Sequence, residues 1–171
     1  MSGPVVVLVG PPGAGKSTVG RLVAARLDVA FRDTDDDIEA TAGKSISEIF
    51  VDDGEPAFRS LERDAVRRAL MEHDGVLALG SGAVLAAENR EALRHSGSAI
   101  VHVAASARAS FERVGLATSR PVLALNPRAM LAKLAEERAP LYAEVATGVV
   151  DSDGTDADGV AQLVLEVIGR G

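Results

Sequence analysis

The sequence predicts an α/β fold of three layers, a central five-stranded parallel sheet flanked by helices. Three observations predict it: short apolar runs alternate with segments of helical period, glycines stand at the joins, and the first join is a glycine loop between a strand and a helix. Val5-Val6-Val7-Leu8-Val9 reads as a strand apolar on both faces, as at the centre of a parallel sheet covered by helices. Beyond its loop, Val19, Leu22, Val23 and Leu27 share one helix face, and that helix should end near Asp28. Val29-Ala30-Phe31 is a weaker second strand that hands over at Asp33-Thr34-Asp35-Asp36-Asp37, a cluster suited to a helix N-terminus. Ser45 with Glu48 forms a capping box. Pro56 then suits the first turn of a longer helix, whose apolar face is Phe58, Leu61, Ala65, Val66, Ala69 and Leu70, with Arg59 beside it. Val76 to Leu79 before Gly80-Ser81-Gly82 is another strand-to-glycine junction, and Ile100-Val101-His102-Val103 is a further buried strand. Residues 115–127 hold Arg120-Pro121 and Asn126-Pro127 with little periodicity, which predicts a mobile lid between helices. Gly148-Val149-Val150 supplies the fifth strand, and Val160, Leu163, Val164, Val167 and Ile168 form the apolar face of a closing helix. Neither a repeat nor a linker interrupts the 171 residues, so a single domain is expected.

Composition narrows the function. Lys+Arg 18 against Asp+Glu 25 gives a net charge of -7, and with no Trp and one Tyr the chain lacks the basic stripe and stacking platform of a nucleic-acid binder. The absence of cysteine excludes disulfides, thiolate catalysis and Cys-based zinc sites. The first apolar run is far too short for a membrane span, so a cytoplasmic protein, expected to be monomeric, is the economical reading. His73, His95 and His102 lack metal spacing and are expected to be structural or solvated.

Gly10-Pro11-Pro12-Gly13-Ala14-Gly15-Lys16-Ser17 satisfies the P-loop pattern in the context that confirms it, after a strand and before a helix. The glycines let successive backbone N–H groups turn onto phosphate oxygens, Lys16 reaches the β and γ phosphates, and Ser17 ligates Mg2+. Gly13, Ala14, Gly15, Lys16, Ser17 and Thr18 are therefore the expected nucleotide-binding residues, and the fold is that of the P-loop NTPases. There is no clear Asn-Lys-x-Asp for guanine, and the chain is too short for motor or ring-assembly additions, which leaves a small-molecule kinase.

The ordered set of the P-loop, Asp33-Thr34-Asp35, Phe58-Arg59 with Glu62, Gly80-Ser81-Gly82-Ala83-Val84, Arg120-Pro121 and Arg138-Ala139-Pro140-Leu141-Tyr142 resembles the shikimate kinases, over nearly the whole chain. The resemblance implies phosphoryl transfer from ATP to the 3-hydroxyl of shikimate. It implies that Asp33 orders Mg2+ through water, that Asp35 binds ring hydroxyls and takes or orients the proton of the attacking one, and that residues 33–62 form the substrate-binding region. Arg59 and Arg138 match the pair that holds the substrate carboxylate, a group that a guanidinium fork fits. Arg120 matches the lid arginine that meets the transferring phosphate, and Arg113 an arginine that stacks on adenine.

Two departures from the family pattern stand out. Ser81 replaces the middle of three glycines, Gly80 and Gly82 being kept, and it brings a Cβ to backbone that approaches the substrate carboxylate. Weaker shikimate affinity than Ser81→Gly would show is the expectation. The stretch Asp151 to Asp156 is acidic where relatives commonly offer an adenine-facing basic residue, so backbone contacts to adenine are expected. Two rivals remain at this point: a gluconate-type sugar-acid kinase, and a nucleotide-binding module without phosphotransfer.

Overall fold

A computed structural model of the chain describes residues 3–114 and 126–171. The five strands are β1 (Val6–Val9), β2 (Phe31–Asp33), β3 (Val76–Ala78), β4 (Ala99–Ala104) and β5 (Gly148–Asp151), all parallel in the order β2-β3-β1-β4-β5. The helices are α1 (Lys16–Leu27), α2 (Thr34–Ala42), α3 (Ile46–Asp52), α4 (Glu55–Glu72), α5 (Ala87–His95), α6 (Ala107–Val114), α7 (Pro127–Val145) and α8 (Ala157–Val167). The expected fold class is thus the observed one. The expected lid falls mostly on residues 115–125, which lie outside the described residues, as does Arg120.

Alternation along β1 builds both cores. Val6 and Leu8 turn to one face, against Val19 and Val23 of α1 and Val160 and Val164 of α8. Val7 and Val9 turn to the other, against Val66 and Ala69 of α4, Leu93 of α5 and Tyr142 and Val145 of α7. All four β1 side chains are at most 1% exposed, and each such burial contributes about 1.5–3 kcal/mol. A third cluster, Ile38, Ile46, Ile49, Phe58 and Ala65, binds α2, α3 and α4 together.

Caps set the boundaries. Asp28 ends α1 in the left-handed region with φ 54, and Val29 N–H still donates to Ala24 O of that helix at 3.0 Å. Val29 and Ala30 are therefore absorbed by the helix exit, and β2 begins at Phe31, later than the sequence suggests. The Ser45–Glu48 capping box and Pro56 in the first turn of α4 are both as expected. Residues 83–95, for which the sequence suggests no element, form a 3-10 turn (Ala83–Leu85) followed by α5. No helix among the described residues is long and apolar enough to cross a membrane.

Candidate active site

The carboxyl ends of all five strands lie at one edge of the parallel sheet, where such folds bind ligands. The loop after β1 turns through Gly13 (φ 73) and Gly15 (φ 88), conformations that favour glycine, and Gly15 is the N-cap of α1. The first N–H groups of α1 therefore face the loop. Lys16 lies along it, its Nζ donating to Gly10 O at 2.8 Å and Pro11 O at 2.9 Å. Ala14 is buried in the core, and Thr18 is exposed on the first turn of α1.

Ser17 and Asp33 join this loop to the next strand end: Ser17 Oγ donates to Asp33 Oδ2 at 2.5 Å, while Asp33 Oδ1 caps α2 by accepting from Asp35 N at 2.9 Å. A hydroxyl and a carboxylate in contact are hard oxygen donors suited to Mg2+. Among the described residues no group of three or more His, Asp or Glu side chains could hold a metal by itself. A site completed by phosphate and water oxygens fits this donor set, and that is how Mg2+ is usually held. Asp36, three residues beyond Asp33, has its carboxyl pKa raised above the ordinary value, by burial first and then by the charge of Asp33.

The acceptor side is built around the turn after β3. Buried Thr34 accepts from Gly80 N at 3.4 Å through its Oγ1, tying α2 to that turn. Asp35 and Glu62 flank Gly80 so closely that an added Cβ would lie 2.8 Å from Asp35 Oδ1 and 3.0 Å from Glu62 Oε2. Arg59 covers Gly82 in the same way, with Nη1 2.4 Å from where a Cβ would stand. Glu62, 2% exposed, holds Arg59 Nη1 at 2.8 Å, and exposed Glu55 stands 3.6 Å from Nη2. A cleft of about 330 Å3 lined by Glu55, Pro56, Arg59, Arg63, Leu85 and Ala86 borders the same guanidinium. From α7, Arg138 donates to Ser81 Oγ at 3.3 Å through Nη1, and the Tyr142 hydroxyl donates to Ser81 O at 2.7 Å. At 16% and 6% exposure, Arg59 and Arg138 are not solvated helix charges. Ser81 takes no positive φ, so its backbone accepts a side chain without strain.

Half-buried His102 has a structural place: its ring stacks on that of Tyr142, with centroids 4.8 Å apart. Burial, and then the charge of Lys16, lower its pKa. Arg113 reaches from α6 to Gly13 O and Ser152 Oγ through Nη1 and to Ser152 O through Nη2, each at 3.0 Å. It thereby bridges the P-loop and the loop after β5. The acidic run in that loop is used structurally: Asp156 caps α8, and Asp153 accepts from Ser106 N at the start of α6.

Lys16, Ser17, Asp33, Asp35, Arg59, Gly80, Ser81, Gly82 and Arg138 therefore converge at one sheet edge, and Arg113 lies on the P-loop side. The sequence reading gave no role to Thr34, Tyr142 or Ser152, and none to Glu62 beyond its place in the motif. Glu62 carried a usable signal, an acid three residues after Arg59 and four from each of Phe58 and Val66 on the apolar face of the helix.

Comparison with known proteins bears on this site. The family model described as shikimate kinase matches residues 12–169. The shikimate kinase of Salinispora tropica is 57% identical over 96% of this chain and 95% of its own, and that of Streptomyces coelicolor 51% over 98% and 97%. A solved structure of shikimate kinase from Acinetobacter baumannii in complex with shikimate has a TM-score of 0.93 at 36% identity, covering 98% of this chain and 93% of that one.

Proposed function

Because the chain belongs to the shikimate kinase family and is thus an ATP-dependent kinase of the shikimate pathway, we propose that its described site divides the reaction between a phosphate half and a carboxylate half. Gly13 to Thr18 hold the phosphates of ATP, with Lys16 on the β and γ groups. Ser17 and Asp33 would hold Mg2+, and the ion when bound would supply charge neutralisation on the phosphates. Arg113 serves the adenine side, between the P-loop and Ser152.

Shikimate binds over the Gly80–Gly82 turn, its carboxylate between Arg59 and Arg138 and near the Ser81 N–H, its ring hydroxyls on Asp35. The 3-hydroxyl oxygen attacks the γ phosphorus as the bond to the β-bridging oxygen breaks, ADP departs, and Asp35 orients the hydroxyl and receives its proton. Arg120 meets the transferring phosphate. That role rests on the motif alone. The enzyme acts as a cytoplasmic monomer without nucleic-acid or membrane partners.

The observation that carries this reading is the placement of two low-exposure guanidiniums on Ser81 and Gly82, beside a carboxylate on Gly80. ADP release with ATP and Mg2+ should depend on shikimate and not on gluconate. It should fall by about 10²–10⁴-fold in Asp35→Asn, with ATP affinity kept. Full turnover by Asp35→Asn would remove Asp35 from the reaction, and gluconate turnover would reassign the acceptor.

A further inference from the structure

Residue 81 differs from its two neighbours in what surrounds it. Gly80 has no room for a side chain beside Asp35 and Glu62, nor Gly82 beside Arg59. Ser81, 3% exposed, carries a side chain in ordinary backbone geometry, and Oγ accepts from Arg138 Nη1. Its carbonyl accepts from Tyr142, about one helical turn beyond Arg138 on α7. Residue 81 is thus fastened to the same helix through its side chain and its backbone.

We infer that the Ser81 hydroxyl is a positioning residue for shikimate, holding the Arg138 guanidinium in the plane that meets the carboxylate and offering a donor of its own. The inference rests on the reading that Arg138 binds that carboxylate. A hydroxyl that accepts from a guanidinium keeps its own hydrogen as a donor. The carboxylate beside Ser81 N–H then meets a second, neutral donor on the same residue. With Arg138 fastened in this way, the serine strengthens the site, and the sign expected for Ser81→Gly from the sequence reverses.

The test is steady-state kinetics by ADP release on the full chain, with wild type, Ser81→Ala, Ser81→Gly, Ser81→Thr, Arg138→Lys and the Ser81→Ala/Arg138→Lys pair, each checked by its melting temperature. Ser81→Ala and Ser81→Gly should raise the shikimate KM on the order of ten-fold, with kcat and the ATP KM little changed. Ser81→Thr, which retains the hydroxyl, should recover most of the loss and keeps the test alive if Ser81→Ala folds poorly. In the Arg138→Lys background the further effect of Ser81→Ala should nearly vanish, because lysine lacks the fork that the hydroxyl orients. A shikimate KM in Ser81→Ala at or below that of wild type, with Arg138→Lys impaired, overturns the role of Ser81 and leaves the clamp intact. Effects that multiply in the double variant overturn action through Arg138. An unchanged shikimate KM in Arg138→Lys overturns the carboxylate clamp itself.

Discussion

A Cβ on Gly82 would stand 2.4 Å from Arg59 Nη1, yet Gly82 has φ -95, which any residue adopts. Glycine is therefore needed there for space, whereas at Gly13 and Gly15 it is needed for a left-handed backbone. The obstructing atom at Gly82 is the end of a flexible side chain, so a methyl group moves the guanidinium and leaves the turn in place. Gly82→Ala should melt close to wild type while its shikimate KM rises about 10–100-fold, the range of one charge-assisted hydrogen bond, with the ATP KM unchanged. Thermal melts and initial rates on one preparation check this. A large fall in melting temperature would mean that the turn yields instead of Arg59.

At the scale of elements, α6 is tied to the loop after β5 at both ends. Asp153 accepts from Ser106 N at 3.1 Å at its start, and Arg113 near its end holds Ser152 and Gly13 O. Ser152 is itself buried, and its Oγ donates to Ala104 O at 2.8 Å, so Arg113 grips a fixed point. Truncating Arg113 frees both the P-loop carbonyl and that loop. Arg113→Ala should raise the ATP KM roughly three- to ten-fold, at about 1 kcal/mol for the net loss of its hydrogen bonds, and leave the shikimate KM alone. An equal rise for both substrates would place Arg113 in the general closure of the site. The sequence showed strand ends and the motifs attached to them because those signals are local: the P-loop follows β1, the acids follow β2, and the glycine turn follows β3. It did not show the strand order, nor that Ser81 meets Arg138 across 57 residues, nor that Asp153 meets Ser106 N across 47. Those contacts are made only when distant elements pack, and no periodicity records them.

For the whole molecule, protonation adds a charge where the fold already holds one. His102 lies on β4 beside Val9 of β1, stacked on Tyr142 and half-buried near Lys16. Burial, and then the Lys16 charge, lower its pKa below the ordinary value of about 6.5. In the window between the lowered value and 6.5 the unfolded chain binds a proton that the folded chain refuses, so stability rises with pH there. This contribution is fully present above about pH 6.5 and is lost as pH falls toward the folded pKa. One proton sets a ceiling of about 1.4 kcal/mol per pH unit on the slope, and water around a half-buried ring keeps the effect below it. His102→Phe preserves a ring against Tyr142 and removes the proton site. Denaturant unfolding without nucleotide at pH 7.5, 6.5 and 5.5 should therefore show wild type losing stability faster than His102→Phe as pH falls. Parallel curves for the two proteins would mean that the ring titrates alike in both states. The same comparison with a non-hydrolysable ATP analogue should narrow the gap in part, because phosphate charge offsets that of Lys16 while burial, the larger cause, persists.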